Sequence, residues 1–119
     1  MLKEWNGVRQ RPEEGTRRWF TDDKFDLIVW YQSDELIGFQ LCYDKDSVER
    51  ALTWYRSGGF SHARVDDGEG PHGAKRTAML VSDGLFDARR VISDFQSVCT
   101  EIDPEIVTVV LSALESYPG

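Results

Sequence analysis

Two stretches of alternating side chains constrain the fold most. Over residues 25–31 and 37–43, aromatic and β-branched residues recur with a period of two, the pattern of half-buried strands. The intervening Ser33-Asp34-Glu35 predicts a hairpin with a three-residue loop. In that register one face is apolar and consists of Phe25, Leu27, Val29, Tyr31, Ile37, Phe39, Leu41 and Tyr43. The other face is mixed and consists of Asp26, Ile28, Trp30, Gly38, Gln40 and Cys42.

A second hairpin is predicted around Gly58-Gly59, because a glycine pair accepts the positive φ angles of tight hairpin turns. A turn centred there places Leu52 and Trp54 on one face with Ala63 and Val65. Thr53, Tyr55, His62 and Arg64 then share the polar face. Residues 66–75 are rich in glycine and charge, which predicts a surface loop, and 77–81 predict a last short strand.

Beyond residue 84 the apolar period changes to three and four, which predicts a helix over about 85–100. A second helix is predicted to begin at Asp103-Pro104, where the aspartate caps free amides and proline suits the first turn. Val107 and Leu111 lie off its main apolar stripe. This C-terminal helix is therefore expected either to be covered on two sides or to contribute to a homodimer contact.

These elements predict one α+β domain over 1–119, in which a mainly antiparallel four- or five-stranded meander sheet carries two C-terminal helices on one face. Residues 1–16 are expected to be an irregular arm, 17–81 the sheet and 85–117 the helices. The predicted core consists of Phe25, Leu27, Val29, Phe39, Leu41, Leu52, Trp54, Val65, Leu85, Val91, Ile92, Phe95, Val98, Ile106, Val110 and Leu114.

Composition narrows the classes of function. The formal net charge of -7 repels a phosphate backbone, so nucleic acid is not an expected partner. No run of apolar residues is long enough for a membrane span or a secretory leader, so no membrane partner is expected. Two cysteines are too few for a disulfide scaffold, and we expect a cytoplasmic protein with reduced thiols.

The phrases GFQLCYDK and FSHARVDDGE, with Arg17 to Phe20 and Asp22 to Tyr31, resemble a family of small bacterial proteins of unassigned function. The resemblance covers residues from about 17 to 105. It implies a bacterial, cytoplasmic, stand-alone domain. It transfers no catalytic or binding residue.

The candidate ligand-binding residues follow from the predicted sheet. A polar face that also offers Trp30 for stacking has the character of a small ligand cleft, although the same face also fits an ordinary water-facing side of a sheet. The candidates are Asp26, Gln40, Tyr55, His62, Arg64 and Asp66.

His62 is also the candidate catalytic residue, since a histidine near a carboxylate acts as general acid or base around neutral pH. In the competing interpretation, His62 is only a hydrogen-bonded residue of a strand and has no catalytic role. His62, Asp67 and His72 include possible metal donors, but their spacing matches no metal motif, so no metal and no cofactor are predicted.

Two functional hypotheses remain. The first is a non-catalytic module that binds a small ligand or a protein, and it rests on the lack of any catalytic motif. The second is a small enzyme in which His62 is the acid/base, Asp66 or Asp26 orients it and Arg64 holds an anion. The small molecule itself is not identified by the sequence.

Overall fold

The structure is a computed structural model that describes residues 1–5, 16–46, 49–66, 79–82 and 87–117. For 64–66 and 79–82 the description covers the backbone alone. Over these residues each of seven strands pairs antiparallel with the next along the chain. The strands are β1 Lys3–Trp5, β2 Thr16–Thr21, β3 Asp26–Gln32, β4 Glu35–Tyr43, β5 Arg50–Tyr55, β6 Phe60–Asp66 and β7 Met79–Ser82. The predicted α+β class and antiparallel meander are confirmed.

The structure has more strands than predicted, and residues 3–5 of the predicted irregular arm form a strand. Lys3–Trp5 pairs with Trp19–Thr21 in β2, so the sheet gains two strands before the first predicted one. Leu2 is fully buried in the core, and its amide donates to the carbonyl of Val98 at 2.9 Å. Strand pairing on one side and apolar burial on the other hold this segment to the domain. Residues 6–15 lie outside the described part.

The first hairpin follows the predicted register only in the part far from the turn, from Asp26 to Trp30. Leu27 lies opposite Leu41 and Val29 opposite Phe39, as predicted. The turn contains two residues rather than three, Ser33 and Asp34, with φ of 51° and 66°. A turn with two positive φ angles matches the twist of the flanking strands. The register then shifts after Trp30, which leaves Ile37 as the extra residue of a bulge instead of opposite Tyr31.

The predicted register of the second hairpin is wrong. Trp54 lies opposite Phe60 and Leu52 opposite His62. Only Gly59 has a positive φ, 70°, and the loop is longer than the predicted glycine turn. The register differs by an odd number of residues, and such a shift moves every side chain of the strand to the other face. His62 therefore shares a face with Leu52.

Both helices pack on the face of the sheet that carries Leu27, Val29, Phe39, Leu41 and Leu52, which we call the helix face. They are α1 Ala88–Gln96 and α2 Pro104–Ser116. The edge of Phe25 meets the ring of Phe95 with centroids 6.2 Å apart. The predicted packing of both helices on one face is confirmed.

The first helix is shorter than the predicted 85–100. The side chain of Asp87 caps it by accepting the Arg90 amide at 3.3 Å. Beyond Gln96 the apolar pattern continues in turns, in which the Val98 amide bonds the carbonyl of Phe95. Residues 83–86 are not described.

The start of α2 differs from the prediction in one contact. Pro104 occupies the first turn as expected, but the Asp103 carboxylate caps no backbone amide. It accepts instead from Nη1 of Arg18 at 2.7 Å. Arg18 also donates to both carboxylate oxygens of Glu4, at 2.7 and 2.9 Å, and this hydrogen bonding lowers the pKa of Glu4. One guanidinium thus joins β1, β2 and α2.

Most of the predicted core is confirmed, since eleven of its side chains are buried. Trp54, Ile92 and Val98 are partly buried against them. Leu2 and Phe20 belong to the core although they were not predicted there. Leu85 and the side chain of Val65 are outside the description. The buried predicted residues are Phe25, Leu27, Val29, Phe39, Leu41, Leu52, Val91, Phe95, Ile106, Val110 and Leu114.

We predict that Leu2→Ala lowers the free energy of unfolding by about 2–5 kcal/mol, because it leaves a cavity in a fully buried site. The matched control is Lys3→Ala, an exposed neighbour in which the change stays within about 0.5 kcal/mol. Chemical denaturation of both variants measures the difference. Equal stability of Leu2→Ala and the parent would contradict the placement of β1.

Candidate functional site

The face of the sheet opposite the helices, which we call the outer face, is built from cross-strand rows. One row runs through Arg17, Trp30, Gly38 and Tyr55 on β2 to β5. The next row runs through Trp5, Trp19, Ile28, Gln40, Thr53 and Ser61 on β1 to β6. A third row runs through Lys3, Thr21, Asp26, Cys42, Ala51 and Ala63.

Trp30 and Tyr55 stack above Gly38. Their ring centroids lie 5.5 Å apart and their planes differ by only 8°. The two residues are on β3 and β5, so the stack spans the intervening strand β4. A Cβ on Gly38 would come within 2.6 Å of the Trp54 carbonyl oxygen, 3.1 Å of the Tyr55 ring and 3.3 Å of the Trp30 ring. The absence of a side chain at residue 38 therefore permits the stack.

A second aromatic pair lies on β1 and β2. The rings of Trp5 and Trp19 meet edge to face, with centroids 5.4 Å apart. Trp5 is 51% exposed and Tyr55 is 46% exposed, and among the described residues only Met1 is a comparably exposed large apolar side chain. The outer face therefore presents exposed aromatic surface at two places.

Polar side chains lie beside the aromatic ones. Thr53 donates its hydroxyl to Oε1 of Gln40 at 3.4 Å, and Nε2 of Gln40 contacts Sγ of Cys42 at 3.4 Å. Burial raises the pKa of the Cys42 thiol to about 11. At neutral pH this thiol is protonated, so it is not an activated nucleophile.

The third row contains an internally satisfied charge. Asp26 Oδ1 accepts from the Thr21 hydroxyl at 2.5 Å and from Nζ of Lys45 at 3.0 Å. Lys45 also donates to the backbone carbonyl of Asp22 at 2.7 Å. Asp26 thus forms part of a local ion pair at the edge of the outer face.

His62 lies on the opposite side of the sheet from Asp26 and Tyr55. It is 8% exposed, and its Nε2 lies 2.5 Å from the hydroxyl of Tyr43. The ring stacks on Tyr43 and meets the edge of Tyr117. The predicted neighbourhood of His62 and Tyr55 on one polar face is therefore wrong, because the hairpin register differs from the predicted one.

An ion-pair cluster lies next to His62. Arg90 donates two hydrogen bonds to the Asp44 carboxylate, at 2.9 and 3.1 Å, and its guanidinium lies over the Tyr43 ring. Arg50 Nη1 is 3.9 Å from the same carboxylate. These contacts connect α1 to the end of β4. His62 itself is buried on the helix face of the sheet.

For two predicted site residues, Arg64 and Asp66, the structure describes the backbone alone. Arg64 lies opposite Arg50, and Asp66 opposite Met79, but their side chains are not described. The metal candidates Asp67 and His72 lie outside the described residues. Within the described ranges, no group of three or more His, Cys, Asp or Glu side chains is arranged to hold a metal ion.

The structure thus brings Asp26, Gln40 and Tyr55 to one face, as predicted, together with Trp30. Sequence reasoning missed Trp5 and Trp19 as members of this face. The alternation of Arg17, Trp19 and Thr21 with Arg18 and Phe20 was the signal that a strand precedes Phe25.

A concave surface also lies between the helices. This open groove of about 450 Å³ is lined by Ala88, Arg89, Ile92, Ser93 and Gln96 of α1 and by Glu115 of α2. It is on the far side of the sheet from the aromatic rows.

Comparison with known proteins finds no matching family model, curated protein or solved structure. Neither described helix has the length and apolar character needed to cross a membrane.

We predict that Gly38→Ala lowers the free energy of unfolding by about 1–3 kcal/mol, because the new methyl group overlaps the Trp54 carbonyl. The matched control is Gly58→Ala, where nothing lies within 4 Å of the added Cβ. Denaturation gives the stability of both variants, and near-ultraviolet circular dichroism reports the Trp30 and Tyr55 stack. A Gly38→Ala variant with both properties unchanged would contradict the close approach.

We predict that iodoacetamide alkylates Cys42 at pH 8 at least about 100-fold more slowly in the native protein than in urea, since few thiols with this pKa are ionised. The rate in the native protein should rise as the pH approaches 11. Mass spectrometry of the labelled peptides measures the rate. Equal labelling in the native and unfolded states would show an accessible and reactive thiol.

Proposed function

We propose that this protein is a non-catalytic binding module whose recognition surface is the outer face of the sheet. The observation that carries the proposal is the pairing of exposed aromatic rings with polar side chains on a face away from both helices. Aromatic rings supply large contact areas at a low cost in conformational entropy. Gln40 and Thr53 supply the neighbouring polar groups.

The contacts of His62 support the enzyme alternative less well. Asp26 is separated from His62 by the sheet, and Nε2 of His62 lies 2.5 Å from the hydroxyl of Tyr43. A general base must reach the proton that it removes from a bound substrate. An enclosed ring between two tyrosines fits the interpretation of a structural histidine.

The structure gives less support to a partner contact on α2 than to one on the outer face. Val107 and Leu111, whose apolar side chains suggested a homodimer, are partly buried and pack against the core. A homodimer through α2 remains a prediction, and sedimentation of the wild type and Leu111→Glu tests it. A monomeric wild-type protein at micromolar concentration would contradict that contact.

We further propose a bacterial cytoplasmic location. Its support is the resemblance in residues 17–105 and the two buried, free thiols of Cys42 and Cys99. Cell fractionation with a specific antibody tests this location, and recovery from the secreted fraction would contradict it.

The four tryptophans provide a direct test of the recognition surface. Trp5, Trp19 and Trp30 lie on the outer face, whereas Trp54 lies on the helix face and serves as an internal control. We predict that ligands found in an NMR screen of fragments, oligosaccharides and short peptides shift the first three indole N–H resonances and leave the Trp54 resonance in place.

Ligands that shift Trp54 alone would contradict the proposed surface. Turnover of any member of a hydrolase and phosphatase substrate panel would contradict the non-catalytic assignment. A Tyr55→Ala variant identifies activity that depends on the outer face, and a Tyr43→Phe variant identifies activity that depends on the His62 contact.

A further inference from the structure

The groove between the two helices, which we call the helix groove, has an apolar floor. Ala88 and Ile92 are one turn apart on α1, and both side chains are partly exposed where they line the groove. The volume of about 450 Å³ lies in the range of small-ligand clefts, which is about 300–1,000 Å³. The helix groove is therefore large enough for a small ligand with an apolar body.

The two charged side chains of the helix groove have opposite signs. Arg89 of α1 and Glu115 of α2 are exposed, make no hydrogen bond or ion pair with any described residue, and are too far apart to pair with each other. The adjacent Arg90 differs, because it donates to Asp44 and lies 3.6 Å from Asp94. Arg89 and Glu115 therefore keep their full capacity to pair with a ligand.

Ser93 and Gln96 supply the uncharged polar groups of the helix groove. Their spacing from Arg89 is four and seven residues, so the three side chains follow one side of α1. Within the described residues, Ser93 and Gln96 are engaged only through their backbone carbonyls, and their side chains have no partner. A hydroxyl and an amide each donate and accept, so this stripe matches a ligand that contains a peptide group.

We propose that the helix groove binds a short apolar peptide with both termini free. Its carboxylate pairs with Arg89, because a planar guanidinium suits two-point recognition of a carboxylate. Its ammonium pairs with Glu115, and its apolar side chains cover Ala88 and Ile92. This inference goes beyond the proposed function, since it assigns a second binding site on the far side of the sheet from the outer face.

The charge of the helix layer distinguishes this ligand from other occupants. Residues 87–117 contain six carboxylate side chains and two arginines, so their balance is -4. A second copy brings the same negative surface, and a polyanion is also repelled. A simple cation leaves Arg89 without a partner, and a simple anion leaves Glu115 without one. A peptide with free termini carries no net charge and satisfies both.

The experiment measures binding of the full chain to leucyl-leucine and to two matched analogues. N-acetyl-leucyl-leucine lacks the ammonium, and leucyl-leucine amide lacks the carboxylate. NMR titration of the backbone amides gives each dissociation constant and the location of the bound probe. We expect leucyl-leucine to shift the amides of α1 and to bind at least about threefold more tightly than either analogue, which is the scale of an exposed ion pair.

Two single variants test the direction of binding. Arg89→Gln should abolish the preference for leucyl-leucine over its amide and keep the preference over the acetylated analogue. Glu115→Gln should produce the reverse pattern, because it removes the partner of the ammonium. Lys24→Gln and Glu101→Gln change the net charge by the same amounts at exposed positions outside the groove, and both preferences should remain.

Circular dichroism confirms that each variant is folded. Equal binding of the three probes, binding of none of them, or preferences that survive both Arg89→Gln and Glu115→Gln overturn the proposal. Tighter binding of the amide than of leucyl-leucine assigns the groove to cations and also overturns it. Self-association that is lost in Glu115→Gln assigns the groove to a second copy, with the same consequence.

The same spectra keep this inference separate from the proposed function. The indole resonances of Trp5, Trp19 and Trp30 report on the outer face, and none of these residues lines the helix groove. A probe that shifts α1 alone supports the groove and leaves the outer face to its own ligand screen. A probe that shifts those indoles and leaves α1 unchanged overturns the groove and supports the outer face.

Discussion

Burial of one face of the sheet beneath α1 and α2 is the constraint on which the rest of the structure depends. Leu27, Val29, Phe39, Leu41 and Leu52 fill that side, and the period of two then assigns every intervening residue to the outer face. The aromatic rows are therefore a consequence of core packing. A strand that changed its register by one residue would exchange apolar for polar side chains in the core. The free-energy cost of that exchange fixes which residues lie on the outer face.

The sequence predicts best where this alternation is long. The alternation in β3 and β4 is unambiguous, and it correctly predicts that Asp26, Gln40 and Trp30 share a face. It predicts less well at turns, because the parity of the following strand depends on loop length. The loop before β6 is where His62 was assigned to the wrong face. Leu52 and Trp54 fix the side of β5, but Ala63 and His62 are each acceptable on either side of β6.

Very short strands are the second limit on prediction. Lys3–Trp5 has too few residues for a period to be recognised, and its position depends on contacts far along the chain. Leu2 bonds the backbone near Val98, and Glu4 bonds Arg18, which in turn bonds Asp103. Such long-range contacts override local propensity, and no local sequence pattern predicts them. Trp5 was missed as a site residue for this reason, whereas Trp19 lies in β2, where the alternation of side chains indicated a strand.

Gly38 connects stability and the proposed function. Glycine in the interior of a strand costs backbone entropy and leaves no side chain to pack, so its presence requires a compensating use. Here its neighbours on both sides are large rings, and any Cβ would collide with the backbone of β5. A sheet that needed only a water-facing surface could have placed a threonine or valine at this position and packed smaller residues beside it. The combination of a strand glycine with the half-exposed ring of Tyr55 and the partly buried ring of Trp30 is a local departure from the rules of sheet stability, and such departures are expected at recognition surfaces.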